Sequence, residues 1–191
     1  MAAMARLIYT AIASLDGYVA DERGKFDWAA PDEEVHAFAN DLERQVGTHL
    51  YGRRMYETMK VWDGDEILAG QPTVMSDYAE IWRAAEKIVY SRSLEKVETS
   101  RTKLERSFDP EAVRALKQVE ERDISIGGAE LAAEALAADL VDEIHLLLVP
   151  VVVGAGKPAL QTDHQLALDL QEHRSFGNGT VYLRYDLEGR L

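Results

Sequence analysis

The chain predicts an α/β protein with a mainly parallel central sheet and an antiparallel β-hairpin at its C-terminal end. Three observations carry this. Short apolar runs alternate with amphipathic segments of helical period along most of the 191 residues. Several of those segments open on Asp, Pro or acidic residues, as helix starts do. The closing stretch instead alternates with period two about Gly177-Asn178-Gly179, a hairpin signal.

The elements follow in order. RLIYTAIAS (6–14) is a buried strand ended by the turn-like LDG. PDEEVHAFANDLERQV (31–46) is a helix, with Val35, Phe38, Leu42 and Val46 spaced by three and four. THLYG (48–52) is a short strand, and a helix runs from Arg53 to about Lys60. After a Gly- and Asp-rich loop, VMSDYAEIWRAA (74–85) is helical and KIVYS (87–91) extended. DPEAVRALKQVEER (109–122) has Asp as N-cap, Pro at the first helical position, and Val113, Leu116 and Val119 facing inward. DISI (123–126) is a strand that runs through two glycines into the helix AELAAEALAADL. DEIHLLLVPVV (142–152) is the longest buried strand, and the hairpin closes the chain. With no repeat, low-complexity tract or linker, the sequence reads as a single domain spanning 1–191.

Composition narrows the function. A formal charge of −13 argues against sequence-independent nucleic-acid binding and against an anionic membrane surface, since both demand clustered cations. No cysteine is present, which excludes disulfides, thiolate catalysis and Cys-based zinc sites and fits a reducing, cytoplasmic setting. MAAMARLIYTAIAS superficially copies a targeting signal, but its apolar run is short and only one basic residue precedes it. It reads as the first core strand. The five histidines show no metal-binding spacing, so no metal is expected.

Gly154-Ala155-Gly156-Lys157-Pro158-Ala159 nearly matches a dinucleotide-binding fingerprint, yet no helical pattern follows to present amides to a phosphate. Its glycines read as a sharp turn near a ligand or a second subunit. Three other groups stand at carboxyl ends of strands, where ligands collect in open α/β sheets. Gly127-Gly128 precede a helix start, either cradling phosphate or merely turning the chain. Arg53-Arg54 follow Gly52 at a helix start, either an anion clamp or an exposed basic pair. Ser91, Arg92 and Ser93 follow a strand end.

The order and spacing of IASLDGYVA, FDWAAPDEE, THLYGRRMYETM, KIVYSRSL, ISIGGAEL, VDEIHLLLVPVVVGAGKPAL and GNGTVYLRY resemble the dihydrofolate reductase-like superfamily. The branch most similar is the reductase (C-terminal) domain family of the bifunctional riboflavin-biosynthesis deaminase-reductase. This resemblance implies a three-layer αβα fold and NADPH as cofactor. It places Gly52 and Arg53, with Arg54 beside them, on the adenosine 2′-phosphate, and Ser91 and Arg92 on the loop flanking it. It places Gly127, Gly128, Ala129 and Glu130 under the pyrophosphate, and Ala13 and Ser14 beside the nicotinamide. Met55 and Glu130 depart from the residues common there, a Thr and an Arg. Tyr18 and Ile126 replace the Lys of S-L-D-G-K and the Glu of E-G-G, which counts against a phosphoribosylaminouracil substrate.

The implied activity is hydride transfer to a small pterin-, pyrimidine- or flavin-like heterocycle. Asp16 is the candidate catalytic carboxylate, binding a heterocycle N–H or aiding protonation, although Asp-Gly is also an ordinary turn pair. Trp28 reads as an aromatic wall over a flat substrate or as a core anchor, and Tyr56 faces either pocket or core. The competing class is a non-catalytic ligand-binding protein of the same fold. A homodimer is expected in either case, because symmetric dimers are the commonest assembly.

Overall fold

The computed structural model describes residues 4–190. Its centre is an eight-stranded sheet. Strands β1 (Leu7–Ser14), β3 (Val46–Gly52), β4 (Glu86–Tyr90), β5 (Thr102–Glu105), β6 (Asp123–Gly127) and β7 (Glu143–Val149) run parallel. The hairpin strands β9 (Leu166–Ser175) and β10 (Val181–Arg190) add antiparallel beyond β7. The order across the sheet is β5-β4-β3-β6-β1-β7-β10-β9. A second, two-stranded sheet joins β2 (Tyr18–Asp21) to β8 (Gly156–Pro158).

Helices cover both faces. On one side, α4 (Pro110–Val119) and α5 (Ala129–Ala137) pack Val113, Leu131, Ala132, Ala135 and Leu136 against Leu7, Tyr9, Leu50, Ile124, Ile126 and Ile144. On the other, α1 (Glu33–Glu43) brings Val35 and Phe38 to Leu147, Phe176 and Tyr182. Beside it, α2 (Arg53–Met59) and α3 (Thr73–Ala84) bury Tyr56 and Trp82 against Tyr51 and Val89. The alternation Leu50/Tyr51 on β3 and Ile88/Val89 on β4 serves both layers at once, as a sheet covered on both faces requires. The expected α/β class, parallel sheet and C-terminal hairpin are all present.

Local differences from expectation have simple causes. Helix α1 stops at Glu43, and Val46 opens β3 instead of ending the helix, because Gly47 follows and the segment between is too short for another turn. Val119, expected inward, is 76% exposed, at the last residue of α4. Strands β2, β5 and β8 have only three or four residues each, too few to display a period. Among the described residues no helix is long and apolar enough to cross a membrane.

Candidate functional site

Register fixes where the strand ends meet. Gly52 at the end of β3 pairs with Tyr90 at the end of β4, and Tyr51 pairs with Gly127 at the end of β6. The residues that follow therefore emerge side by side: Ser91 and Arg92 after β4, Arg53 and Arg54 after β3, and Gly128, Ala129 and Glu130 after β6. Strand β1 pairs Tyr9 with Ile126, so Ser14 lies four residues further along the sheet than Gly127, about 13 Å at strand rise. The result is a stepped edge, low at β4-β3-β6 and raised at β1-β7.

Two kinds of group on the low step face outward unused. The guanidinium groups of Arg53, Arg54 and Arg92 are exposed and make no hydrogen bond or ion pair with any described residue. Helix α5 begins at Gly128, with φ +100°, and no side chain caps it, whereas Asp32 and Asp109 cap α1 and α4. Its first-turn N–H groups thus lack side-chain acceptors. Gly127 is glycine for a packing reason: a Cβ there would lie 3.0 Å from the Tyr51 ring and 3.1 Å from Met55 Cγ. At Gly52 nothing stands within 4 Å of a Cβ, so the space above that backbone is open.

Ser91 differs from its neighbours. It is buried, and its hydroxyl accepts the Leu94 N–H at 3.0 Å, shaping the loop instead of facing out of it. Arg106 carries no motif and escaped the sequence reading. It donates to the carbonyls of Ser91 and Leu94, holding the same loop from β5's far end.

The raised step is built around Asp16. Its carboxylate accepts from Ser14 Oγ at 2.6 Å, from the Val153 N–H at 3.1 Å and from the Gly154 N–H at 2.7 Å. The Ser14 hydroxyl, followed by those two backbone N–H groups, holds the carboxyl down to about 2. Asp16 is consequently an anion at any physiological pH and has no proton to deliver. Ser14 and Ala13 are fully buried, and Ser14 Oγ also accepts the Tyr18 N–H, so neither side chain reaches a surface.

Of the two places open to Tyr56, pocket and core, the structure puts it in the core. It is 1% exposed in the α2/α3 core, and its phenol oxygen accepts the Glu98 N–H at 2.8 Å, so it anchors the 94–99 loop and does not face a substrate. Trp28 lies half-buried in a short 3₁₀ turn, Asp27–Ala29, that packs on β1, and its indole N–H is buried without an acceptor. An indole that has lost water and found no protein partner retains an unmet donor.

The glycine motif proves to be a strand. Gly156 belongs to β8 and pairs with Asp21, and a Cβ on it would fall 2.0 Å from the Ala20 carbonyl oxygen. No helix follows it, which removes the dinucleotide reading of that motif. From β8, Lys157 reaches across to the tip of α5, with Nζ 2.7 Å from Glu130 Oε1.

Comparison with known proteins agrees with this architecture. The family model described as RibD C-terminal domain matches residues 5–182. The uncharacterized protein YyaP of Bacillus subtilis (strain 168) is 28% identical over 187 residues, which cover 96% of this chain and 96% of YyaP. Among solved structures, a Shewanella sp. PV-4 protein named for riboflavin biosynthesis superposes with a TM-score of 0.74 at 21% identity, covering 96% of this chain and 99% of that one. Dihydrofolate reductase from Enterococcus faecalis, solved with NADP(H), superposes with a TM-score of 0.60 at 16% identity over 96% of each chain.

Proposed function

Since the chain belongs to the RibD C-terminal domain family, we propose that it is an NADPH-dependent reductase acting on a small pterin-, pyrimidine- or flavin-like heterocycle. The observation that carries this reading is the low step of the sheet edge. Three unpaired guanidinium groups and an uncapped, glycine-headed helix stand on adjacent strand ends of a protein with charge −13. Cations left unpaired amid so many carboxylates are a supply of charge reserved for an anion.

In this reading Arg53 and Arg92 grip the adenosine 2′-phosphate, with Arg54 beside them, because a guanidinium fork matches phosphate oxygens. Gly128, Ala129 and Glu130 offer backbone amides to the pyrophosphate, and the open space over Gly52 admits the nucleotide against the backbone. Bound NADPH supplies the hydride. The chain supplies position and a site shielded from water. The raised step at β1 and β7 walls the nicotinamide end, and Trp28, packed on β1, is an aromatic part of that wall. Asp16 acts as a fixed anion that shapes this end, and the proton consumed in reduction comes from solvent.

The ionised Asp16 also gives the second reading its footing: a site without a free acid suits a non-catalytic ligand-binding protein of the same fold. Two measurements separate the two. Thermal stabilisation by NADPH exceeding that by NADH tests cofactor choice. Oxidation of bound NADPH by a panel of pterins, flavins and aminopyrimidines tests catalysis. Binding without any oxidation leaves the ligand-binding reading, and absence of NADPH binding overturns the assignment of Arg53, Arg54 and Arg92 to the 2′-phosphate. The proposed homodimer is tested by the mass in solution; exposed Leu168, Leu170 and Val181 on the last two strands form the apolar surface that favours it.

A further inference from the structure

Glu130 stands in the first turn of α5, at the position where the proposed pyrophosphate would approach. A carboxylate there suits the helix dipole but opposes a bound anion. Among the described residues its ion-pair partner is Lys157, at 2.7 Å, and that partner is not local; the Arg54 charge also acts on it, more weakly. Lys157 belongs to β8, which is bound edge to edge with β2 so closely that Gly156 admits no side chain. The β8 backbone continues into Ala159, whose carbonyl accepts the buried Tyr9 hydroxyl at 2.7 Å and whose N–H donates to Gly17. Lys157 is therefore delivered to the helix tip from a strand secured on both sides. Lys157 is 29% exposed at its side chain while Glu130 is 68% exposed, so the cation is the better held of the two.

We propose that Lys157 is a positioning residue for the dinucleotide, acting through Glu130: it cancels and draws aside the one carboxylate at the α5 tip so that the backbone amides there can receive the pyrophosphate. This rests on the reductase reading above and adds to it a role for Lys157, which the glycine motif contains but does not explain.

The test is a double-mutant cycle read by equilibrium binding of NADPH to the full chain. Lys157→Ala is expected to weaken NADPH binding by about fivefold to tenfold, because it leaves Glu130 with only the weaker, more distant charge of Arg54. Lys157→Ala combined with Glu130→Gln is expected to recover most of the loss, since no charge remains to be cancelled. Binding of adenosine 2′-phosphate, which has no pyrophosphate, is expected to stay within about twofold of wild type in every variant, an outcome that a general structural weakening would not produce. Equal NADPH affinity in wild type and Lys157→Ala overturns the inference and leaves the reductase reading intact. A loss in Lys157→Ala that Glu130→Gln does not recover also overturns it. Failure of the wild-type chain to bind NADPH removes the reductase reading, and the inference with it.

Discussion

Asp16 accepts the backbone N–H of Gly154 at 2.7 Å, although 138 residues separate the two. One carboxylate thus binds the turn after β1 to the loop after β7, and it does so as an anion, with its pKa near 2. The folded-state pKa lies below the ordinary 3.8, so this contribution to stability is fully present above about pH 4 and is lost as pH falls through about 2. Asp16→Ala is expected to raise amide hydrogen exchange at Val153 and Gly154 by roughly tenfold or more at neutral pH, with the sheet core unchanged. Unaltered exchange at those two amides would show that the loop is held by something else.

Gly156→Ala tests the backbone contact between β2 and β8. The added methyl would stand 2.0 Å from a carbonyl oxygen, a distance that forces the strands apart. We expect a loss of about 2–4 kcal/mol in unfolding free energy, measured by urea titration, against under about 1 kcal/mol for Gly64→Ala, whose nearest neighbour is 4.0 Å away.

Arg53→Ala is expected to weaken NADPH binding by about tenfold to a hundredfold while leaving the weaker binding of NADH within about twofold, because only NADPH carries the 2′-phosphate. Calorimetric titration of both nucleotides checks this. An equal loss for the two would move the phosphate elsewhere.

Tyr56→Phe removes the acceptor for the Glu98 N–H without opening a cavity. The expected cost is about 1–2 kcal/mol in stability with nucleotide affinity within about twofold of wild type. A selective loss of affinity with stability preserved would return Tyr56 to the binding site.

Burial lifts the Glu43 carboxyl to about 7, and burial with the nearby Lys87 and Arg122 charges lowers His49 to about 3. The two side chains approach to 3.7 Å beside the stacked rings of His49 and Tyr51. The signs are opposite. As pH rises from about 4.5 to about 7, the unfolded chain releases the Glu43 proton and the folded chain keeps it, so stability falls. As pH drops below about 6.5, the unfolded chain protonates His49 and the folded chain does not, so stability falls in that direction too. Glu43→Gln removes only the first effect. Its stability relative to wild type is expected to improve by about 1–3 kcal/mol between pH 4.5 and 7, measured by chemical denaturation. A difference independent of pH would mean that Glu43 ionises freely in the folded protein.

Much of the fold was legible before any coordinates. The three-and-four spacing of Val35, Phe38 and Leu42, and the Asp109-Pro110 opening of α4, reported their elements correctly because both signals are local to one turn of chain. The strand ends carrying Arg53 and Gly128 were legible for the same reason, each being a place where a strand gives way to a helix, and Arg92 was legible because it follows the end of an apolar run. Short β2 and β8 left no such mark, and Val119 kept the helical period at the last residue of α4, where it is exposed.

Sequence alone determined that this is an acidic, cysteine-free α/β chain with basic and glycine-rich strand ends, since residue type and spacing are properties of neighbours along the chain. Only the tertiary structure decided that Asp16 ties the turn after β1 to the loop after β7, that Tyr56 belongs to the core, and that Lys157 answers Glu130. Those outcomes depend on which distant backbones the strand order brings within 3 Å, and side-chain periodicity holds no record of that order.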